Sequence, residues 1–211
     1  MYYPYNDDLS GKYFPYEEQS RADILPVSLA VAKAYLSIAL LDTSNDVLIT
    51  SLLKAARNVF ETQTNRSLTE ITYKTYRDNF NNKCFEIRKL PLMSISSVKY
   101  YDEDDALQTV AIANYYTQTT SGYSFIVFKD DFSIPFLSDD IGWPIEIIFK
   151  SGYTSTVDTL PEDIANGLKA HVAYMFENRG DCSNSISNAI GVLPILTKLA
   201  IRTYKIQEIG F

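Results

Sequence analysis

The stretch DVLITSLLKAARNVFETQTNRSLTEITYKTY, residues 46–76, carries two different hydrophobic periods. In its first part, apolar side chains return every three or four positions. Leu48, Leu52, Ala56, Val59 and Gln63 mark one side, and Ile49, Leu53 and Phe60 widen it to a stripe able to pack on a core. Lys54, Arg57, Asn58 and Glu61 take the opposite side. This pattern predicts a helix over about 46–65. From about residue 69 the period becomes two, with Ile71, Tyr73 and Thr75 alternating with Thr72, Lys74 and Tyr76. A long amphipathic helix running directly into strand pattern frames everything on either side.

Upstream, Ser28 follows Pro26 and is a ready N-cap. Leu29, Ala32, Leu36 and Leu40 recur at helical spacing behind it, and Asp42, Thr43, Ser44 and Asn45 interrupt the pattern before the long helix. Residues 1–24 show neither period. Tyr2, Tyr3, Tyr5, Tyr13, Phe14 and Tyr16 are interleaved there with Pro4, Pro15, Gly11 and acids. The segment reads as an extended arm, either a free tail or one that orders on a neighbouring subunit.

Downstream, the period-two pattern persists from 69 to 153. Asn81-Asn82 is a turn before Phe85–Arg88, and Ser97–Tyr101 and Leu107–Ile112 flank an acidic tip, Asp102–Asp105. Tyr115–Thr117 and Phe125–Phe128 flank Ser121-Gly122, and Ile145, Ile147 and Phe149 share one face of a last strand. Pro91, Pro135 and Pro144 fit strand starts or edges. Helix returns at Pro161, with Glu162 and Asp163 at the positive end of the helix dipole. Its stripe is Ile164, Leu168, His171, Val172 and Met175, and Gly180 is placed to close it. A short helix over about 194–203 carries Leu196, Leu199 and Ala200, expected to pack inward. The strands are contiguous and short-looped, hence antiparallel. The expected class is α+β: about four helices, with an antiparallel sheet or small barrel inserted between the helix pairs. Leu52, Val59, Phe60, Leu168, Val172 and Met175 are expected to pack the second helix against the third.

The composition narrows the function classes. The 211 residues are 46% hydrophobic, so a core is attainable without disulfide or metal staples. Nineteen basic against 26 acidic residues give a net charge of −7, a poor balance for gripping phosphate. Cys84 and Cys182 lack the spacing of a disulfide framework or a zinc site. No apolar run is long enough to span a membrane, and the N-terminus lacks the layout of a secretory signal. Sixteen Tyr and 11 Phe suit either a β-rich core or protein–protein surfaces.

Catalytic patterns are scarce. The carboxylates Asp102, Glu103, Asp104 and Asp105 are dense enough to consider a metal-dependent hydrolase, but the run lacks the glycine and distal glutamate of a calcium loop and reads better as a solvated hairpin tip. His171, the sole histidine, sits on a buried stripe and reads as structural. Arg179-Gly180-Asp181 spells an adhesion tripeptide, yet falls where a helix should stop. No catalytic, cofactor or metal site is expected.

The order of motifs resembles the head–tail connector (adaptor) proteins of tailed bacteriophages. The stretch Asp46–Arg57 with Glu61–Leu68 is similar to their signature helix, preceded by Ala32, Lys33, Ala34, Tyr35 and Leu36. Leu90-Pro91-Leu92, Ser94, Ser97-Val98 and Tyr100 resemble the family's strand entry, followed by Trp143-Pro144 and Gly152-Tyr153. Leu160–Ile164, then Leu168, His171, Tyr174, Glu177, Asn178 and Arg179, resemble its third helix, and Leu193-Pro194, Leu199 and Tyr204-Lys205 its C-terminal end.

The resemblance spans about 25–206 and is nearest the longer subfamily, with a β-rich insertion at 69–153 between helices at 28–68 and 161–203. The Tyr-rich arm at 1–24 departs from it, as do Tyr73 and Tyr76 where a Trp-containing strand is usual. The resemblance implies a homo-oligomeric ring, of twelve copies, docked under the portal protein at the capsid vertex. Such a ring extends the DNA channel, lets DNA pass without specific binding, and is a platform for stopper or tail proteins. It implies a place in the virion neck, and in the host cytoplasm during assembly. A stopper or tail-completion protein is the alternative from the same neck. Adaptor C-termini insert against the portal, so Leu196, Leu199, Tyr204, Ile206 and the tail residues Ile209 and Phe211 (207–211) are the expected docking residues. The other possibility is a tail folded back on its own subunit.

Overall fold

The computed structural model describes residues 14–80, 83–120, 122–153, 156–178 and 193–206. Among these residues the class is α+β, with four α-helices and two antiparallel sheets. The chain divides into two compact units: residues 22–70 with 153–211, and residues 71–152 with 1–21.

The first unit is helical. Helix α1, Leu29–Tyr35, opens on Ser28, whose hydroxyl accepts the Val31 N–H at 3.2 Å. It closes earlier than the Leu36–Leu40 spacing suggests. Ser37 adopts φ 58°, and the Ser37 and Ile38 N–H groups return to the Ala34 and Lys33 carbonyls. That is the bonding of a Schellman stop with serine where glycine is usual, which hid it in the sequence. Leu40 therefore lies beyond the helix and is exposed.

Helix α2, Asp46–Thr64, ends at Asn65 in the left-handed region, which asparagine tolerates. Its buried line is Ile49, Leu53, Ala56, Phe60 and Thr64, with Leu48, Leu52 and Val59 half-buried beside it. The stripe is thus rotated from the one centred on Leu52. Arg57, expected on the solvent side, is buried. Helix α3, Glu162–Glu177, buries Ile164, Leu168, His171 and Val172 into the same core, with Leu52 and Met175 packed at its margin.

Helix α4, Ile195–Tyr204, crosses α3 closely. Thr197 Oγ1 donates to the Gly167 carbonyl at 2.8 Å, and a Cβ at Gly167 would lie 3.0 Å from Ala200 Cβ. Gly167→Val is expected to cost ~1–3 kcal/mol by overpacking this crossing. Thermal melting checks it, and an unchanged midpoint would mean that α4 shifts at no cost.

The second unit is a β unit in which two sheets share one core. The larger has strand order β1-β2-β8-β4-β5: β1 Tyr16–Arg21, β2 Ile71–Arg77, β8 Ile145–Ser151, β4 Leu92–Tyr101 and β5 Leu107–Thr109. The smaller has order β3-β7-β6: β3 Cys84–Ile87, β7 Ser124–Phe128 and β6 Tyr115–Thr119. β2 and β8 alternate buried and half-buried along their whole length, as the period-two reading expects. Tyr73 stacks on Phe149 across that pair with ring centroids 5.7 Å apart. Between the sheets, Phe80, Phe85, Phe128 and Phe132 form an aromatic cluster with centroids 5.0–5.6 Å apart along its contacts. Much of the Phe excess is therefore core, worth an increment beyond area burial for each ring pair.

One boundary shifts. Residues 16–21, assigned from sequence to the arm, form the edge strand of the larger sheet. Phe14 and Tyr16 pack within their own unit. Phe14 lies 4.9 Å from the Arg77 guanidinium and 6.3 Å from the Trp143 ring, and Tyr16 meets Phe149 edge-on at 6.1 Å. A register shift between Glu18 and Ser20 breaks the alternation, which is why no strand period survives there. β5 is also shorter than expected, since Ile112–Asn114 turns into a 3₁₀ segment.

Candidate functional site

The Lys33 of the AKAYL run turns out to be an anchor. Its side chain is 2% exposed, and Nζ donates to the Leu40 carbonyl at 2.8 Å, the Asp42 carbonyl at 2.6 Å and Asp46 Oδ1 at 2.8 Å. With the Schellman stop it fixes the loop between α1 and α2. The loop holds Leu41, 93% exposed, and Leu40 out in solvent, and Val47 in the first turn of α2 is exposed as well.

The C-terminal helix offers the second apolar surface. Leu196 and Leu199 were expected to point inward, but Thr197, Ala200 and Ile201 take the buried positions. Leu196, Leu199 and Ile195 are 44%, 51% and 68% exposed. Sequence alone could not choose between the two faces, because apolar residues stand on both sides of this short helix.

Tyr204 and Ile206, grouped with the docking residues from sequence, are held within their own unit. The Tyr204 ring meets Tyr153 edge-on at 6.2 Å and lies under the Arg66 guanidinium at 5.8 Å. Arg66 Nε donates to the Tyr204 carbonyl, Arg66 Nη1 donates to Tyr153 Oη at 3.2 Å, and the Ile206 N–H donates to the Thr64 carbonyl at 3.3 Å. Burial raises the Tyr153 pKa, with Arg66 opposing. Ile209 and Phe211, and Tyr2, Tyr3, Tyr5 and Tyr13 of the arm, lie outside the described residues, as does the Arg179–Asp181 tripeptide.

The acidic tip folds on itself. Asp102 accepts from the Gln108 side chain at 2.7 Å and from the Asp104 and Ala106 N–H groups, and these bonds, Gln108 first, lower its pKa below the ordinary 3.8. Asp105 takes φ 58° and accepts from Ser138 Oγ. Among the described residues no three His, Cys, Asp or Glu side chains converge to hold a metal ion. Among the same residues no helix is long and apolar enough to cross a membrane.

His171 is buried, and its Nδ1 has no hydrogen-bond partner among the described residues. Burial lowers its pKa from the ordinary 6.5. The unfolded chain therefore takes up the proton first as pH falls, so stability is full at higher pH and declines below 6.5. His171→Gln is expected to flatten the melting temperature between roughly pH 7 and pH 5. An identical slope in both proteins would assign the pH dependence to other groups.

No protein-family description matches the sequence, and no curated protein does. Solved structures do match. One is a chain from the virion of a native gene transfer agent (GTA) particle, with TM-score 0.73 and 16% identity, covering 92% of this chain and 97% of that one. A chain from the neck of an empty GTA particle, computed with C6 symmetry, aligns at TM-score 0.73 and 18% identity over 93% and 97%. A chain from the neck of the native particle, computed with C12 symmetry, aligns at 0.67 and 16% over the same shares. This is a fold found in a GTA neck. At such identity the likeness concerns fold, and it takes in nearly the whole of both chains, helical and β units alike.

Proposed function

We propose that this chain is a structural protein of a phage-type neck: a head–tail adaptor whose copies, twelve in number, form a ring under the portal. The ring extends the DNA channel and carries the stopper or tail. The observation that supports this most is the fold shared with GTA neck chains over 97% of their length. The C6 and C12 symmetry of those necks favours a ring, and the motif order over 25–206 favours an adaptor within it. A closed ring needs two different faces on each subunit, meeting head to tail. Net negative charge suits a channel from which DNA must slide freely. No step of this role requires turnover or a cofactor.

The portal-facing element in this reading is α4 with the tail after it. Leu196 and Leu199 are exposed on a helix whose own position is fixed by the Gly167 crossing. Ile209 and Phe211 continue the apolar character in the sequence. Tyr204 and Ile206 tie this end of the helical unit to Arg66, Tyr153 and Thr64. The arm's contribution between subunits falls to Tyr2, Tyr3, Tyr5 and Tyr13, because Phe14 and Tyr16 are engaged within the β unit.

The Leu196→Ala/Leu199→Ala variant, and separately removal of residues 207–211, test the docking element by co-sedimentation with portal rings. Portal binding is expected to weaken at least tenfold, at ~1–2 kcal/mol for each truncated anchor, with melting unchanged. Intact binding in both proteins would remove this end of the chain from the interface.

A further inference from the structure

The outward side of α4 carries more than apolar groups. Lys198 and Arg202 are exposed on it, one helical turn apart, and exposed Lys205 follows directly. The helix sequence ILTKLAIRTY holds no acid. Ion pairs elsewhere engage Arg21, Lys33, Lys54, Lys74 and Arg88, whereas Lys198, Arg202 and Lys205 have none among the described residues. A chain of net charge −7 thus concentrates unpaired cations beside its exposed Ile195, Leu196 and Leu199.

We infer that α4 seats in a partner groove with an apolar floor and a rim of carboxylates, on the portal face that the ring caps. This rests on the portal-docking reading above and adds the chemistry of the partner surface. The aliphatic residues would fill the floor and exclude water. Arg202, with a planar fork of donors, suits bidentate pairing with a carboxylate, and Lys198 acts as a point charge one turn away. Duplex DNA would satisfy the cations but leave the three aliphatic side chains in water. Pairing of α4 with its own copy would set Lys198 and Arg202 against themselves, a like-charge arrangement that costs binding.

The test measures binding of the full-length chain to purified portal rings of its own particle, at roughly 50 and 300 mM salt. The proteins compared are the wild type, Lys198→Gln/Arg202→Gln, Lys198→Glu/Arg202→Glu and Leu196→Ala/Leu199→Ala, each with its melting temperature as a folding control. The expected result is a loss of roughly tenfold for the Gln pair and roughly a hundredfold for the Glu pair at low salt. Salt should weaken the wild type, barely affect the Gln pair and partly restore binding of the Glu pair. If both charge variants bind like the wild type while the Leu pair fails, the acidic rim is wrong and the docking reading stands. If all variants bind like the wild type, the docking reading falls as well. Two further outcomes also overturn the inference. In one, the wild type binds a short DNA duplex through these cations and portal binding survives charge reversal. In the other, charge reversal dissociates a wild-type oligomer and leaves portal binding intact.

Discussion

Phe60→Ala is expected to cost ~3–5 kcal/mol, a large part of the ~5–15 kcal/mol that holds a typical domain folded. Phe60 is fully buried on α2, in the core formed with Leu168 and Val172 of α3. Removing its ring loses the transfer free energy of the buried carbons. It also leaves a cavity that packed helices close only in part. The measurement is urea unfolding followed by far-ultraviolet circular dichroism, which reports the helices. The single tryptophan, Trp143, lies among the β-unit residues and gives a separate fluorescence signal. Leu52→Ala is the contrast. Leu52 is only half-buried, so its truncation should cost less than that of fully buried Leu53 on the same helix. Equal losses at Leu52 and Leu53 would mean that the stripe is centred where sequence periodicity first put it.

The second large effect is expected at a charge. Lys33→Met keeps the side chain's bulk but removes the ammonium that holds two loop carbonyls and Asp46. Breaking a buried ion pair by deleting one partner typically costs ~3–5 kcal/mol, and the lower end applies because Asp46 stays partly in water. Lys54 is the matched control. Its pair with Asp23 is 3.6 Å long and open to solvent, so Lys54→Met should change stability by less than ~0.5 kcal/mol. Equilibrium unfolding of both variants decides the matter. Equal, small losses would show that the α1–α2 loop is held by its backbone stop alone.

How far the sequence could be read depended on the range of the interactions involved. Where one face of an element meets one core, its period was plain. The Ile71–Tyr76 alternation and the 46–65 helix stand in the structure almost residue for residue. Readings failed where the deciding contact came from elsewhere in the chain. Arg57 looks solvent-facing by helical spacing, yet the fold buries it. β1 carries an irregular register, so its membership of the sheet depends on pairing with β2, 50 or more residues away in sequence. One local feature was hidden too: Ser37 ends α1 with a residue type that does not announce a left-handed stop. In the candidate site, the apolar content of α4 was visible from the sequence. Which of its faces stays outside was not, because the choice is set by Gly167 and Thr197 at the crossing with α3. Lys33 was legible as part of a motif, whereas its role as a loop anchor emerges only with the Leu40 and Asp42 carbonyls in place.

Electron microscopy of this protein mixed with the portal rings of its particle tests the central claim most directly. The adaptor reading predicts an added layer of twelve subunits on the portal, coaxial with its channel, lost in the Leu196→Ala/Leu199→Ala variant. Bare portal rings at saturating protein, or density seated only on a preformed neck beyond the portal, would contradict it.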